Sequence, residues 1–471
     1  MALERSTGLS ELAGSGFIDL DQAQQKLANL AAILGKRETE LLEPLGATQN
    51  PDQSLELMVR LASEHTARIK AISEDSEALG RLCKIIGASV GLYEFLTRQP
   101  SSLDIFSKKP SLPTSEQSLR ALLDASASVS AIRIAYRNQL LQIAIFDVTI
   151  LNPVAELGKI AKALAELASA AIESGLSLAR AELSDKSNTV HYSKQEIANT
   201  RIAVIGMGKC GAGELNYISD VDVIYVAEPA SSEIEANRAL EIATKVCSRM
   251  MRIMDQPDSE PALWQVDANL RPEGKAGALV RSLESHKTYY ERWAESWEFQ
   301  ALLKARPIAG DAQLGSDYLA MTQPKVWESA ARNNFVESVQ RMRQLVTDNI
   351  PAGEVDAQIK LGPGGLRDIE FTVQLLQLVH GRTDASLRSR DTLGAIESLV
   401  AGGYIARADG KRFSDHYRFL RVLEHRIQLA QLRRTHLMPS DEIARRAIAR
   451  SISLELSAEQ LIARWESVKL E

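Results

Sequence analysis

The sequence predicts a predominantly helical α+β protein: one mixed α/β domain set between an N-terminal helical region and a C-terminal helical bundle. Three observations carry this. Ala, Leu, Glu, Arg and Gln, all good helix formers, dominate most of the chain. Apolar residues recur at helical spacing over long stretches. Only between about residue 200 and residue 282 do short β-branched runs, punctuated by Gly and Pro, replace that rhythm. The 471 residues correspond to about three domains, and 45% apolar content is enough for several cores.

In chain order, residues 22–34 place Leu27, Leu30, Ala31 and Leu34 on one helical face. Residues 156–183 run without proline through Ile160, Leu164, Leu167, Ala171 and Leu178. The polar, turn-rich stretch 184–200 (SDKSNTVHYSKQEIANT) then marks a boundary. It divides an N-terminal helical region, 1–190, from a mixed domain, 191–315. In that domain RIAVIG and DVDVIYVAE read as strands, and LWQVDANLRP and ALVRS are further candidates. Helical spacing returns in 316–471, as in residues 329–350 through Phe335, Val339, Met342 and Val346. No repeat of 20–50 residues suggests a solenoid. The chain stops at RWESVKLE, inside an amphipathic helical pattern, and reads as part of something longer.

Composition narrows the function. Lys plus Arg total 55 against 61 acidic residues, a net charge of −6. This opposes nucleic-acid binding through bulk positive charge. Cys83, Cys210 and Cys247 have no ligand spacing, so a thiolate metal site and a disulfide scaffold are not expected, and a reducing cytoplasm fits. The opening MALERSTGLSELAGSGF does not resemble a secretory signal. No apolar run approaches ~18 residues, so no membrane helix is expected. The seven histidines lack HxxxH or HExxH spacing.

The densest signal is residues 206–226, GMGKCGAGELNYISDVDVIYV, with four glycines before an Asp-Val-Asp strand entry. Alternate strand residues share a face, so Asp220 and Asp222 project together, away from Val221, Val223 and Tyr225. Adjacent carboxylates repel unless a cation separates them; Mg²⁺, held by carboxylates and phosphate, is the usual answer. The glycines let backbone N–H groups approach a phosphate. In LWQVDANLRP the apolar Trp264, Val266, Ala268 and Leu270 alternate with polar residues, which puts Asp267 on the polar face. If that strand pairs beside the first, Asp267 joins the cluster, and three carboxylates can hold two ions.

Two controls bear on this reading. Ile18-Asp19-Leu20-Asp21 repeats the pattern before a helix, where it is most simply a cap and a first-turn acid. Gly206-Met207-Gly208-Lys209-Cys210-Gly211 also matches a dinucleotide-binding fingerprint, with Glu228 at the end of the next strand. Against it, too few residues separate Gly211 from Val221 for a crossover helix. Arg271, Arg281, Lys304 and Arg306 follow the acids and suit phosphate, or are salt-bridge partners. Gly362-Pro363-Gly364-Gly365 opens a helix with Ile369, Val373 and Leu376 on its core face and Glu370, Gln374 and Gln377 on a polar stripe. That turn is either an anion site or a tight packing turn.

Four blocks together, GMGKCGAGELNYISDVDVIYV, VDANLRPEG…GALV, WEFQALLKARPIAGD and IKLGPGGLRDIEFTVQLLQLVHGR, resemble the bifunctional glutamine synthetase adenylyltransferase/adenylyl-removing enzyme family. The resemblance runs from about residue 200 to about residue 440. It implies a nucleotidyltransferase-type fold and two similar halves in full-length members. One half removes AMP from a tyrosine of glutamine synthetase by phosphorolysis, giving ADP; the other adds AMP from ATP; PII signal protein and glutamine set the balance. KLGPGGLRDIEF, with about 200 helical residues ahead of the glycine loop, resembles the amino-terminal, removing half. On that substrate the residues themselves supply a mechanism: Mg²⁺ is expected on Asp220, Asp222 and Asp267, with Gly208, Lys209 and Gly211 lining the phosphate side. Arg271, Lys304 and Arg306 are secondary candidates for charge neutralisation. Cys210, Ala212 and Asn269 depart from the family's common Leu, Gly and Arg. The alternatives are the ATP-dependent direction, a non-catalytic binding module and a nicotinamide-dependent oxidoreductase.

Overall fold

Asp19 caps the helix Leu20–Leu34 by accepting the Gln22 N–H, and Asp21 sits in its first turn, so the control Asp pair is a helix start. Leu27, Leu30, Ala31 and Leu34 are buried on that helix. The computed structural model describes residues 7–331 and 335–471. Among them no helix is long and apolar enough to cross a membrane. The 32-residue helix Pro153–Ser184 starts with Pro in its first turn and an Asn152 cap, and buries Ile160, Leu164, Leu167, Ala171 and Leu178. The three cysteines are buried and unpaired.

Among the described residues five strands form the sheet: β1 (Thr200–Gly206), β2 (Val221–Pro229), β3 (Val266–Asp267), β4 (Val280–Arg281) and β5 (Arg306–Gly310). Their order is β3-β2-β1-β5, and β4 pairs further along β2. β1 is antiparallel to both β2 and β5, whereas β3 and β4 run parallel to β2. Only the five-residue helix Gly208–Ala212 separates the antiparallel β1 and β2. A dinucleotide-binding βαβ unit needs parallel strands and a crossover helix, so that alternative is removed.

Two expectations about strands change. LWQVDANLRP contributes only Val266–Asp267, because the chain turns at Asn269 and Leu270. Leu270 therefore leaves the face of Trp264, Val266 and Ala268 and packs on the opposite core. β5 was not expected from Arg306-Pro307-Ile308; it is an edge strand, where proline's missing N–H is tolerated.

The sheet separates two cores. Val221, Val223, Tyr225 and Ala227 of β2 pack into one core with the N-terminal helices, and that core runs through the expected boundary at residue 190. Ile224 and Val226 face the other, built with Tyr290, Phe299, Leu314 and Tyr318. Phe335 is buried there too; the side chains of Val339 and Val346 lie outside the described residues. Helices Leu366–His380, Thr392–Ala401, Arg407–Gln431, Glu442–Ile452 and Ala458–Leu470 bury a third core. The middle helix of these five carries Arg421, Glu424, His425, Arg426 and Gln428 in buried positions, facing the sheet domain rather than solvent.

Candidate active site

The site begins where β1 ends. Gly208 has φ +52°, a conformation that favours glycine, and a Cβ on it would lie 2.7 Å from Asp222 Oδ2, so that a side chain there would displace that carboxylate. The Met207 N–H donates to the Asp222 carbonyl at 2.8 Å, holding the loop against β2. Asp220 and Asp222 share the face of Ile224, at the strand's entry. The register pairs Asp222 with Asp267 across β2 and β3. One carboxylate oxygen from each of Asp220, Asp222 and Asp267 lies within 4.8 Å of the others, and all three residues are half-buried. Burial first, then the charges of Asp220 and Asp267, push the Asp222 carboxyl up to about 7. Such a group of oxygens suits a hard divalent cation, which would remove that repulsion. Asp267 Oδ1 accepts the Asn269 N–H at 2.7 Å, which fixes its rotamer as the strand ends.

A cleft of about 330 Å³ opens beside the acids, at the small end of the range for ligand pockets. Gly208, Asp220 and Asp222 form one wall, with Lys360, Arg367 and Phe371 opposite and Trp297 and Met342 adding apolar surface. Arg367 lies over the Phe371 ring at 5.5 Å. Among the described residues, Arg367 Nε and Glu370 Oε1 are buried without a hydrogen-bond partner, and no ion pair holds Lys360. A third cation, Arg434, sits 3.0 Å from Asp220 Oδ2.

The basic residues expected from the sequence behave differently. Lys209 reaches the cleft, but its Nζ donates to both Glu424 oxygens at 2.9 and 2.8 Å. Lys304 also reaches it, and pairs with Glu214 at 3.2 Å. Arg271 donates to the carbonyls of Ala268 and Gly277 and ties its own loop together. Arg306 donates to the carbonyls of Gly211 and Cys210, pairs with Glu166 at 3.0 Å, and faces away from the acids. Gly211 is a packing position: a Cβ there would lie 2.1 Å from the Lys304 carbonyl oxygen. Arg281 pairs with Glu273. Gly211 and Arg306 therefore line a different cavity, and Arg271, although close enough to feel the charge of Asp267, is engaged within its own loop.

The family model described as glutamate-ammonia ligase adenylyltransferase matches residues 79–321, more than half of the chain. The chain belongs to this family. A second model, GlnD PII-uridylyltransferase, matches residues 337–469. Curated relatives carry the name bifunctional glutamine synthetase adenylyltransferase/adenylyl-removing enzyme. The protein of Leifsonia xyli subsp. xyli is 48% identical over 475 residues, covering 98% of this chain and 47% of that protein. Those of Streptomyces avermitilis (48%, 96% and 44%) and Mycobacterium avium (42%, 93% and 43%) are similar in the same way. The chain spans about half the length of these adenylyltransferase-family relatives.

Both matched segments contribute to the cleft. The adenylyltransferase-family segment gives Asp220, Asp222 and the glycine loop; the segment from 337 onward gives Lys360 and Arg367, and also Arg434, which pairs with Asp220. Sequence reasoning missed these three cations. Lys360 and Arg367 flank the Gly362–Gly365 turn, so the signal lay beside a motif already noted. The turn leading into Asp220 is tied down from the same side. Gln428 Oε1 accepts from Asn216 Nδ2 at 2.6 Å and from the Ile218 N–H at 3.0 Å. Arg421 donates to the Glu214 carbonyl at 2.6 Å. Tyr217 donates to Asp147, which also receives a two-pronged bond from Arg426 at 2.6 and 2.8 Å. Around these ties, burial pushes the His425 imidazole down to about 3, so it stays neutral.

Proposed function

We propose that this chain removes AMP from the adenylylated tyrosine of glutamine synthetase by Mg²⁺-dependent phosphorolysis, taking in phosphate and releasing ADP. The observation that carries this reading is the acid trio Asp220, Asp222 and Asp267, of which Asp220 and Asp222 share one cleft with the cations Lys360 and Arg367. The names of the relatives supply glutamine synthetase as the protein substrate. The resemblance of the Gly362–Gly365 block to the amino-terminal half favours the removing direction. PII signal protein and glutamine would set its rate, and the cytoplasm would be its setting.

The chemistry assigns each residue a task. Asp220, Asp222 and Asp267 would hold Mg²⁺, which when bound offsets charge on the phosphoryl oxygens. Lys360 and Arg367 bind and orient inorganic phosphate; an arginine fork matches its oxygens. A phosphate oxygen forms a bond to the adenylyl phosphorus, the bond from phosphorus to the tyrosine oxygen breaks, and the phenolate, pKa ~10, takes up a proton. The nucleophile is already anionic, so no general base is required. Trp297 and Phe371 offer apolar surface to an aromatic ring, whether adenine or tyrosine. In the opposite, ATP-dependent direction the tyrosine must lose its proton, and Asp267 is the placed carboxylate.

Incubation with adenylylated glutamine synthetase, Mg²⁺ and phosphate should release ADP, and Asp222→Asn should abolish release while the chain stays folded. Turnover only with ATP and unmodified glutamine synthetase would reverse the direction. Binding of glutamine synthetase without turnover in either mixture would leave a non-catalytic module.

A further inference from the structure

A second cavity, about 580 Å³, lies behind the glycine loop, on the far side of helix Gly208–Ala212 from the acid cluster. Its walls come from four parts of the chain: helix Pro153–Ser184, the glycine loop with Arg306, residues 388–393 at the start of helix Thr392–Ala401, and Tyr417 and Arg421 of helix Arg407–Gln431. Among the described lining residues five are basic and three acidic. The acids are already engaged. Glu166 pairs with Arg306 at 3.0 Å. Glu214 pairs with Lys304 and accepts the Thr392 N–H at 2.7 Å. Asp391 caps its helix through the Gly394 N–H at 2.6 Å and accepts the Ser389 hydroxyl at 2.7 Å.

Two cations have no such partner. Among the described residues, neither an ion pair nor a hydrogen bond holds Lys162 or Arg390, and both line the cavity. Burial, and then the charge of Arg306, hold the Arg390 guanidinium below its ordinary pKa, which places two guanidinium groups in mutual repulsion there. An unpaired lysine and an arginine fork, set in a concave site against a third cation, favour an anion of more than one charge.

We propose that this cavity binds a small, multiply charged oxyanion bearing phosphate or carboxylate groups, held by Lys162 and Arg390 with Arg306 behind them. The site is separate from the acid cleft and does not depend on the reaction assigned to it. Its occupant would rest against the loop whose opposite side holds Gly208 to Asp222.

Equilibrium titration of the full chain without divalent cations tests this, with inorganic pyrophosphate and citrate as separate probes. For at least one probe a saturable site is expected that persists in the Lys360→Gln, Arg367→Gln chain, and the tighter of the two probes identifies the class. Lys162→Gln and Arg390→Gln should each weaken it about tenfold, the worth of one charge-assisted hydrogen bond. Lys360→Gln with Arg367→Gln, in the acid cleft, should leave it within about twofold. Both Lys162 and Arg390 reach solvent, so their variants should melt like the parent chain. Binding of neither probe overturns the proposal. So does binding that survives Arg390→Gln and Lys162→Gln but is lost with Lys360 and Arg367.

Discussion

Two groups of carboxylates around the loop that leads into β2 are treated in opposite ways. Asp147, Glu214 and Glu424 are each met by a cation: Arg426, Lys304, and Lys209 with Arg421. Burial opposes ionisation of Asp147 and Glu424, but those cations outweigh it and hold both carboxyls below the usual range. Asp220, Asp222 and Asp267 instead face one another. Arg434 pairs with Asp220, but among the described residues no ion pair reaches Asp222 or Asp267, and Asp222 moves the other way, up to about 7. Matched charges tie helix Arg407–Gln431 to Asp147 and to the glycine loop. The group left unmatched at Asp222 and Asp267 is where the proposed Mg²⁺ would sit.

The largest effect should come from breaking a matched pair. Arg426→Met leaves Asp147 charged and buried, and denaturant unfolding should show a loss of about 3–5 kcal/mol. A loss below about 1 kcal/mol would mean the joint is not stabilised as described. Next, Asp222→Asn relieves repulsion in the unmatched group. Its metal-free melting temperature should equal or exceed that of the parent, while Mg²⁺ should raise only the parent's. Equal Mg²⁺ stabilisation of both proteins would remove the ion from this site.

The pH response should carry opposite signs. In the metal-free chain Asp222 titrates near 7 when folded and near 3.8 when unfolded. Between those values the folded state holds a proton the unfolded state has released, so this contribution to stability falls as pH rises. Asp147, depressed in the fold, contributes stability above its unfolded pKa and loses it as pH falls. Melting curves from pH 4 to 8, parent against Asp222→Asn, isolate the first contribution, and saturating Mg²⁺ should suppress it. The smallest effect belongs to Arg271→Ala, which removes ties to Ala268 and Gly277. About 1 kcal/mol of stability should go, with no change in the phosphate concentration needed for half-maximal rate. A large change there would place its guanidinium on substrate.

The acid trio was legible because its logic is local. Period-two alternation sets Asp220 and Asp222 on one face, and the turn-bounded run around Asp267 needed only to pair beside them. The helical regions were legible for the same reason, through apolar spacing and caps such as Asp19. The cations were not. Arg271, Lys304 and Arg306 follow the acids in sequence, yet Arg271 satisfies backbone carbonyls, Lys304 a glutamate and Arg306 both. Lys360, Arg367 and Arg434 come from beyond residue 359, and only tertiary packing brings them across. Gly208 and Gly211 looked alike in the motif; one faces Asp222 and the other a carbonyl from Lys304.

The ties from Gln428 to Asn216 and Ile218 span more than 200 positions of chain. During translation, the turn that aims Asp220 therefore lacks its clamp until residue 428 has cleared the ribosome. Contacts this remote close late. A nascent polypeptide ending short of that helix would carry its aspartates without the brace that aims them.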